Sequence, residues 1–181
     1  MHRIQKTSIP ENSLLRFPSK PFDYSDSYSG VIHDPQHQRT STDLARAFFS
    51  SGPKWVDVLF KLRNKAVAIL GLKTSNNSVD RTALLANFKC EVGQQFGLFQ
   101  VFEKNDEEVI LGTDDKHLNF RVSLHVANAV HQHNLRVATV STVVHFNNVF
   151  GRLYFLPVRP FHQLIVPAML KAMLKQLDRQ K

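Results

Sequence analysis

The sequence contains a single cysteine, Cys90, and no apolar run long enough to span a membrane. One thiol excludes an internal disulfide and is typical of a protein in a reducing compartment. The N-terminus has no continuous hydrophobic stretch of the kind that a secretion signal requires. We therefore expect a cytoplasmic protein without a transmembrane segment.

Motifs of the common enzyme and nucleic-acid-binding classes are also missing. No phosphate loop, nucleophile elbow or zinc-metalloprotease motif occurs. The 23 Lys and Arg residues outnumber the 15 Asp and Glu residues and give a net charge of +8, but they form no basic tract or zinc-finger pattern. A generally basic surface is the simpler interpretation, and we expect no nucleic-acid partner, no cofactor and no metal.

The composition is that of a single globular domain rich in phenylalanine. A chain of 181 residues that is 43% hydrophobic can bury a sizeable core. Fourteen Phe, against three Tyr and one Trp, indicate a core or a cavity built from apolar rings. We interpret residues 1–22 as an extended lead-in and residues 23–181 as one domain.

The first half of this domain is predicted to hold a strand followed by helices. Asp23 to Ile32 has the composition of a strand, and Leu44 to Phe49 that of a short helix capped by Ser41 or Thr42. A longer helix, Lys54 to Leu72, has one apolar and one basic face. Its apolar face fits packing on the core, and the basic face of residues 54–73 also suits a membrane surface.

The second half is predicted to be an antiparallel sheet. Strands are expected at Phe96 to Phe102 and Glu108 to Gly112. Leu118 to Val126 alternates apolar and polar residues, which indicates a strand with one buried face. Leu135 to Phe146 is apolar on both sides and is therefore placed centrally in the sheet.

The chain ends in an amphipathic helix, predicted between Gly151 and Leu177. From Phe161 onward the apolar residues follow the spacing of a helix face. Pro157 and Pro160 predict a break, with Pro160 near a first turn, and Pro167 predicts a kink. A strand, helices, consecutive strands and a long terminal helix make an α+β plan. With a curved antiparallel sheet wrapped around the terminal helix, this plan resembles the helix-grip fold of Bet v 1 and START-type domains.

A resemblance to a family rests on three strings of the sequence. They are VILGTDDKHLNFRVS from Val109, STVVHFNNVFGRLYFLPVRPFHQLIVPAML from Ser141, and KWVDVLFKLRNKAVAILGL from Lys54. These resemble a bacterial family of uncharacterised proteins, domain of unknown function 2867, over roughly Ser8 to Leu177. Members of that family also occur behind a nucleotide-binding Rossmann domain. This chain has no Gly-x-Gly-x-x-Gly, so the resemblance implies no cofactor and no specific activity.

The densest polar cluster lies just before the alternating strand. Asp114 and Asp115 stand beside His117, and carboxylates can orient a histidine as a general base. The other interpretation is a polar hairpin turn in which the Asp side chains accept hydrogen bonds from local amides. The catalytic candidates are therefore His117, Asp114 and Asp115, with both interpretations open.

Our first functional hypothesis is the binding of a hydrophobic or amphipathic small molecule, such as a lipid, isoprenoid or polyketide-like compound, between the sheet and the terminal helix. The expected contact residues are Phe99, Phe120, Arg121, Val122, Leu124, Phe161, His162, Ile165 and Met169. A second hypothesis is an enzyme of the same fold that uses His117 with Asp114 or Asp115. A third is a membrane-surface or protein-interaction module that acts through residues 54–73.

Overall fold

The computed structural model describes residues 2–16, 20–53, 55–56, 85, 87–129 and 132–179. The elements are β1 (Gln5–Lys6), a 3-10 helix (Leu14–Arg16), β2 (Tyr24–His33), α1 (Ser41–Ser50), β3 (Gln95–Phe96), β4 (Phe99–Lys104), β5 (Glu108–Asp114), β6 (Leu118–Asn128), β7 (Leu135–Phe146) and α2 (Val149–Arg179). The predicted α+β class is confirmed, and the predicted strand at Leu135 to Phe146 has the same bounds as β7.

The strands of the described residues form one seven-stranded sheet in the order β1-β2-β7-β6-β5-β4-β3. Every neighbouring pair is antiparallel. The long β7 lies between β2 and β6, in the interior of the sheet, as its two-sided apolar pattern predicts. The sheet remains open, with the short strands β1 and β3 at its edges.

The two faces of the sheet have different coverings. On β6, Val122 and Leu124 face the helices and join a core that includes Met169, Leu170 and Met173 of α2. The intervening side chains face the opposite side because successive residues of a strand alternate. There, Leu15 of the N-terminal segment packs on Ile110 and Val143. The predicted lead-in therefore covers part of the sheet.

Two predictions about element boundaries were wrong, one in the sheet and one at the cap of α1. Phe96 to Phe102 is a hairpin of β3 and β4 rather than one strand, because Gly97 has a φ of 59° and turns the chain. The cap of α1 is Thr40, whose side chain accepts a hydrogen bond from Asp43 N while the Asp43 side chain accepts one from Thr40 N. The helix predicted at 54–72 lies outside the described residues, apart from Trp55 and Val56.

The terminal helix begins earlier than the prolines predict. α2 is continuous from Val149 to Arg179 and contains Pro157, Pro160 and Pro167, so the predicted break is wrong. Pro157 and Pro160 are exposed to solvent. The carbonyl oxygens that lose their intrahelical donors at these prolines can therefore bond to water.

None of the described helices has the combination of length and hydropathy that crossing a bilayer requires.

Candidate functional site

A buried acidic residue in β2 faces the terminal helix. Alternation along β2 puts Tyr24, Asp26 and Tyr28 on the helix-facing side, where all three are buried. The side chain of Asp26 is only 1% exposed. Asp is depleted in strands and rarely fully buried without partners. Asp26 therefore requires specific contacts at the boundary between sheet and helix.

Tyr24 and His162 provide those contacts from two different elements. The Tyr24 hydroxyl donates a hydrogen bond to Asp26 Oδ2 at 2.6 Å. Nε2 of His162, on α2, lies 3.2 Å from Asp26 Oδ1. Burial, together with the hydrogen bond to Asp26, raises the pKa of Tyr24 above its ordinary value. The phenol consequently stays a protonated donor, and the carboxyl group of Asp26 links the sheet to the helix.

Thr142 adds a hydroxyl with unused hydrogen-bonding capacity. It lies directly opposite Asp26 in the β2–β7 register. Both side chains are therefore on the helix-facing side, with their Cβ atoms about 5 Å apart. Its Oγ1 is buried and has no hydrogen-bond partner in the part of the chain that the structure describes. Buried polar atoms in native proteins are normally paired. This hydroxyl is therefore available to a polar group placed against Asp26.

The surroundings of this polar group are largely aromatic. The Phe155 ring of α2 lies 4.8 Å from the Tyr24 ring, measured between centroids. Tyr24, Val144 and Phe155 form a small buried cluster against which Phe120 packs. The guanidinium of Arg159, an exposed residue of α2, lies 5.4 Å from the Tyr24 ring centroid. We call Tyr24, Asp26, Thr142 and His162 the Asp26 site.

The chemistry available at the Asp26 site is hydrogen bonding and proton exchange. The carboxyl and imidazole groups can each accept or donate a proton, and the two hydroxyls orient polar groups. Among the described residues, no cluster of three or more His, Cys, Asp or Glu side chains is arranged to hold a metal ion. The site is suited to a ligand with a hydroxyl, amino or carbonyl group.

Most of the predicted ligand contacts lie on the helix-facing side of the sheet. Phe99, Phe120, Val122, Leu124, Ile165 and Met169 belong to or pack against the main core there, and His162 belongs to the Asp26 site. Two residues lie elsewhere. Phe161 is 48% exposed on the outer side of α2. Arg121 lies on the opposite face of the sheet, 2.8 Å from Asp114 Oδ1 and 3.5 Å from the centroid of the Phe102 ring.

The predicted catalytic cluster forms the hairpin between β5 and β6. Asp114 pairs with Arg121, and Asp115 Oδ1 accepts a hydrogen bond from the backbone N–H of His117 at 3.1 Å. The His117 ring instead lies with Nδ1 3.1 Å from Asn148 Oδ1. Among these described residues, the His117 ring therefore makes no hydrogen bond to the carboxylate of Asp114 or Asp115.

The same hairpin anchors the start of α2. The Asn147 side chain donates to the Asp115 carbonyl oxygen at 2.6 Å, and that of Asn148 to the Lys116 carbonyl oxygen at 2.9 Å. Asn148 Oδ1 also accepts a hydrogen bond from Gly151 N at 3.1 Å, which caps the helix. These contacts give the cluster a structural function in positioning α2.

Sequence reasoning missed Tyr24, Asp26 and Thr142 as members of a site. The signal was present in the strand sequence YSDSY, where an Asp stands between two Tyr at a spacing of two. A spacing of two puts all three side chains on one face. An acidic residue among strand-forming aromatic residues could have marked that face as special, but the partner residues lie more than 100 positions away.

We compared the chain with known proteins, solved structures and protein families. No curated protein and no solved structure matches it significantly. The family model described as protein of unknown function (DUF2867) matches residues 19–169, which is most of the chain and includes the Asp26 site. The chain therefore belongs to this family of proteins of unknown function.

Proposed function

We propose that the protein binds an amphipathic small molecule between the sheet and α2, with the polar group of the ligand at the Asp26 site. The observation that carries the proposal is the pair of Asp26 and Thr142. A buried carboxyl group lies beside a buried hydroxyl that has no hydrogen-bond partner among the described residues. A few convergent polar groups in an apolar environment are typical of small-molecule sites.

The division of α2 supports this location. Its C-terminal half contributes fully buried Leu170, Met173 and Leu174 to the main core. Its N-terminal half contacts the sheet through Phe155 and His162, next to partly buried Phe120. Apolar rings beside a polar group suit a compound such as a lipid, an isoprenoid or a polyketide-like molecule, and burial of its apolar area would supply about 25 cal/mol per Å².

The helix-grip arrangement is part of the same proposal. β2 pairs with β7, so the first long strand of the domain lies beside the long interior strand of the sheet on which α2 packs. A ligand between this sheet and the terminal helix would contact β2, β7 and α2 together. Asp26, Thr142 and His162 come from those three elements.

The test is native mass spectrometry of the protein purified without detergent, followed by organic extraction. We expect a co-purifying compound, or a complex after incubation with oleic acid or farnesol. Asp26→Asn and Thr142→Val preserve the shapes of the side chains and should each weaken the affinity by about tenfold. The first replaces an acceptor oxygen and its charge by an NH2 donor, and the second removes the hydroxyl group.

The matched control is Ser29→Ala. Ser29 is buried in the same strand but on the opposite face of the sheet, so its removal should leave the bound fraction unchanged. A wild-type protein that stays free of ligand before and after incubation with both probes would reject the proposal. Equal binding by wild type, Asp26→Asn and Thr142→Val would reject the location.

A further inference from the structure

The N-terminal half of α2 has a second feature, on the side turned away from the sheet. Six large apolar side chains there are between 48% and 70% exposed, and we call them the outer stripe: Val149, Phe150, Leu153, Leu156, Phe161 and Leu164. Val149, Leu153, Leu156, Pro160 and Leu164 recur every three or four residues. That spacing puts them on one side of the helix.

The outer stripe lies opposite the packed side of the same helix. Gly151 and Phe155 are buried, and His162 contacts Asp26 of the sheet. This part of α2 is therefore apolar on both sides, although only one side packs against the described core. Single exposed apolar residues are ordinary, but a continuous exposed group of this size marks a surface that contacts something else.

The charges around the outer stripe indicate an anionic partner. Arg152 and Arg159 are seven residues apart, so both lie along the same edge of the stripe. The Arg152 side chain is 67% exposed while it contacts Asp23 at 3.3 Å. No acidic residue occurs between Val149 and Leu177, and the chain carries a net charge of +8. A surface with negative charge over an apolar interior complements both properties.

A second copy of the chain fits this pattern less well. In a two-fold interface the same patch contacts itself. Two antiparallel outer stripes would bring the arginines of one copy close to those of the other, and like charges oppose such contact. An anionic lipid surface instead supplies phosphates for the arginines and an acyl-chain boundary for the Leu and Phe side chains.

We propose that the outer stripe docks the protein onto a bilayer that contains anionic lipids. The apolar side chains enter the boundary between headgroups and acyl chains, and Arg152 and Arg159 contact the headgroup phosphates. α2 lies along the surface in this arrangement and does not cross the bilayer. The apolar side chains of the outer stripe face away from the Asp26 site, although the Arg159 guanidinium also lies 5.4 Å from the Tyr24 ring centroid. The proposal does not depend on a ligand at the Asp26 site.

The test is co-sedimentation of the full chain with vesicles of phosphatidylcholine alone, or of phosphatidylcholine and phosphatidylglycerol in equal parts. We expect binding to the mixed vesicles that weakens towards about 1 M salt, where the screening length falls to ~3 Å. Leu153→Gln with Leu156→Gln should weaken binding by about tenfold or more. Arg152→Gln with Arg159→Gln should weaken it by roughly fivefold for each arginine.

Val92→Gln is the matched control, because Val92 is 65% exposed but lies outside α2; it should bind like wild type. Asp26→Asn should also bind like wild type, which separates this surface from the proposed ligand site. Glutamine preserves helix propensity, and an unchanged thermal midpoint verifies the fold. If a leucine variant is unfolded, Leu164→Gln alone takes its place.

Three results would overturn the proposal. One is no binding of the wild type to the mixed vesicles at low salt, and another is equal binding to vesicles with and without phosphatidylglycerol. The third is a wild-type dimer, seen by light scattering, that the leucine substitutions dissociate while vesicle binding stays the same.

Discussion

At the scale of single residues, Thr142 shows how the Asp26 site lowers the stability of the fold. Its hydroxyl is buried and makes no hydrogen bond to any described residue. A buried polar group without a partner costs about 1–3 kcal/mol. The ligand that we propose for the Asp26 site would supply the missing hydrogen bond.

We predict that Thr142→Val raises the free energy of unfolding by about 1 kcal/mol, because a methyl group replaces the unpaired hydroxyl. Chemical denaturation of wild type and variant measures the difference. Ser27→Ala is the contrasting variant, since the Ser27 hydroxyl donates to Ser141 Oγ at 2.9 Å and its loss should destabilise the protein. A lower stability of Thr142→Val would show that this hydroxyl is already satisfied.

His125 is a buried titratable residue on the opposite face of the sheet. Its Nε2 has no hydrogen-bond partner within the described residues. Burial lowers its pKa, and Arg136 acts in the same direction, while Glu108 and Glu107 oppose the shift. The Glu108 side chain accepts hydrogen bonds from Ser13 Oγ, Leu14 N and Ser123 Oγ. The neutral histidine is therefore the form that fits the folded protein.

This lowered pKa predicts a pH dependence of stability. When the pH falls below the unfolded-state pKa of about 6.5, His125 binds a proton in the unfolded chain. In the folded chain His125 binds that proton only when the pH falls below its own, lower pKa. The free energy of unfolding should therefore fall as the pH decreases from about 7 to about 5, by up to ~1.4 kcal/mol per pH unit. Denaturation across this range measures the fall.

His125→Gln should reduce this pH dependence, whereas His33→Gln, at an exposed position of β2, should leave it as in the wild type. Equal slopes for wild type and His125→Gln would contradict a histidine that is kept neutral by burial.

At the scale of elements, Gly151 decides where α2 can begin. A Cβ at this position would overlap the carbonyl oxygen of His117 in the β5–β6 hairpin. The close approach lets Asn148 cap the helix and bond to Lys116 in the same hairpin. Glycine is required here by proximity to another backbone, since a helix interior otherwise favours alanine.

We predict that Gly151→Ala destabilises the protein by about 1–3 kcal/mol, as overpacking does, although alanine is the better helix former. Thermal unfolding with calorimetry measures the change. Arg152→Ala, at the neighbouring exposed position, should change stability by less than about 1 kcal/mol. A Gly151→Ala protein as stable as the wild type would mean that the hairpin and helix separate without cost.

At the scale of the whole molecule, the strand order predicts which backbone amides are protected against hydrogen exchange. β7 is hydrogen-bonded on both sides, to β2 and β6, along most of its length. β1 and β3 pair over two residues each at the two edges. Interior strands open only in global unfolding, whereas edges open locally.

We expect the amides of β6 and β7 to exchange most slowly, and those of β1 and β3 to exchange orders of magnitude faster. Hydrogen–deuterium exchange followed by mass spectrometry tests this order. Fast exchange throughout β7 would contradict the register described for the sheet.

Local sequence patterns determined the strands and the type of fold. Alternation over Leu118 to Val126 predicted β6, and the two-sided apolar run Leu135 to Phe146 predicted β7, because both patterns follow from residues adjacent in the chain. The order of elements predicted the α+β class. The early start of α2 was missed, because its capping by Asn148 and the close fit of Gly151 depend on a hairpin some 30 residues earlier.

The Asp26 site was decided by tertiary structure. His162 was predicted as a contact residue, but its partner Asp26 is 136 residues away in sequence. Thr142 comes opposite Asp26 only because β2 pairs with β7 in one register. Composition and periodicity indicate which face of a strand or helix is buried. Which residues of β2, β7 and α2 come into contact depends on how these elements pack against one another. The sequence alone therefore determined the α+β class and the long strands of this protein, and packing determined which side chains meet at the Asp26 site.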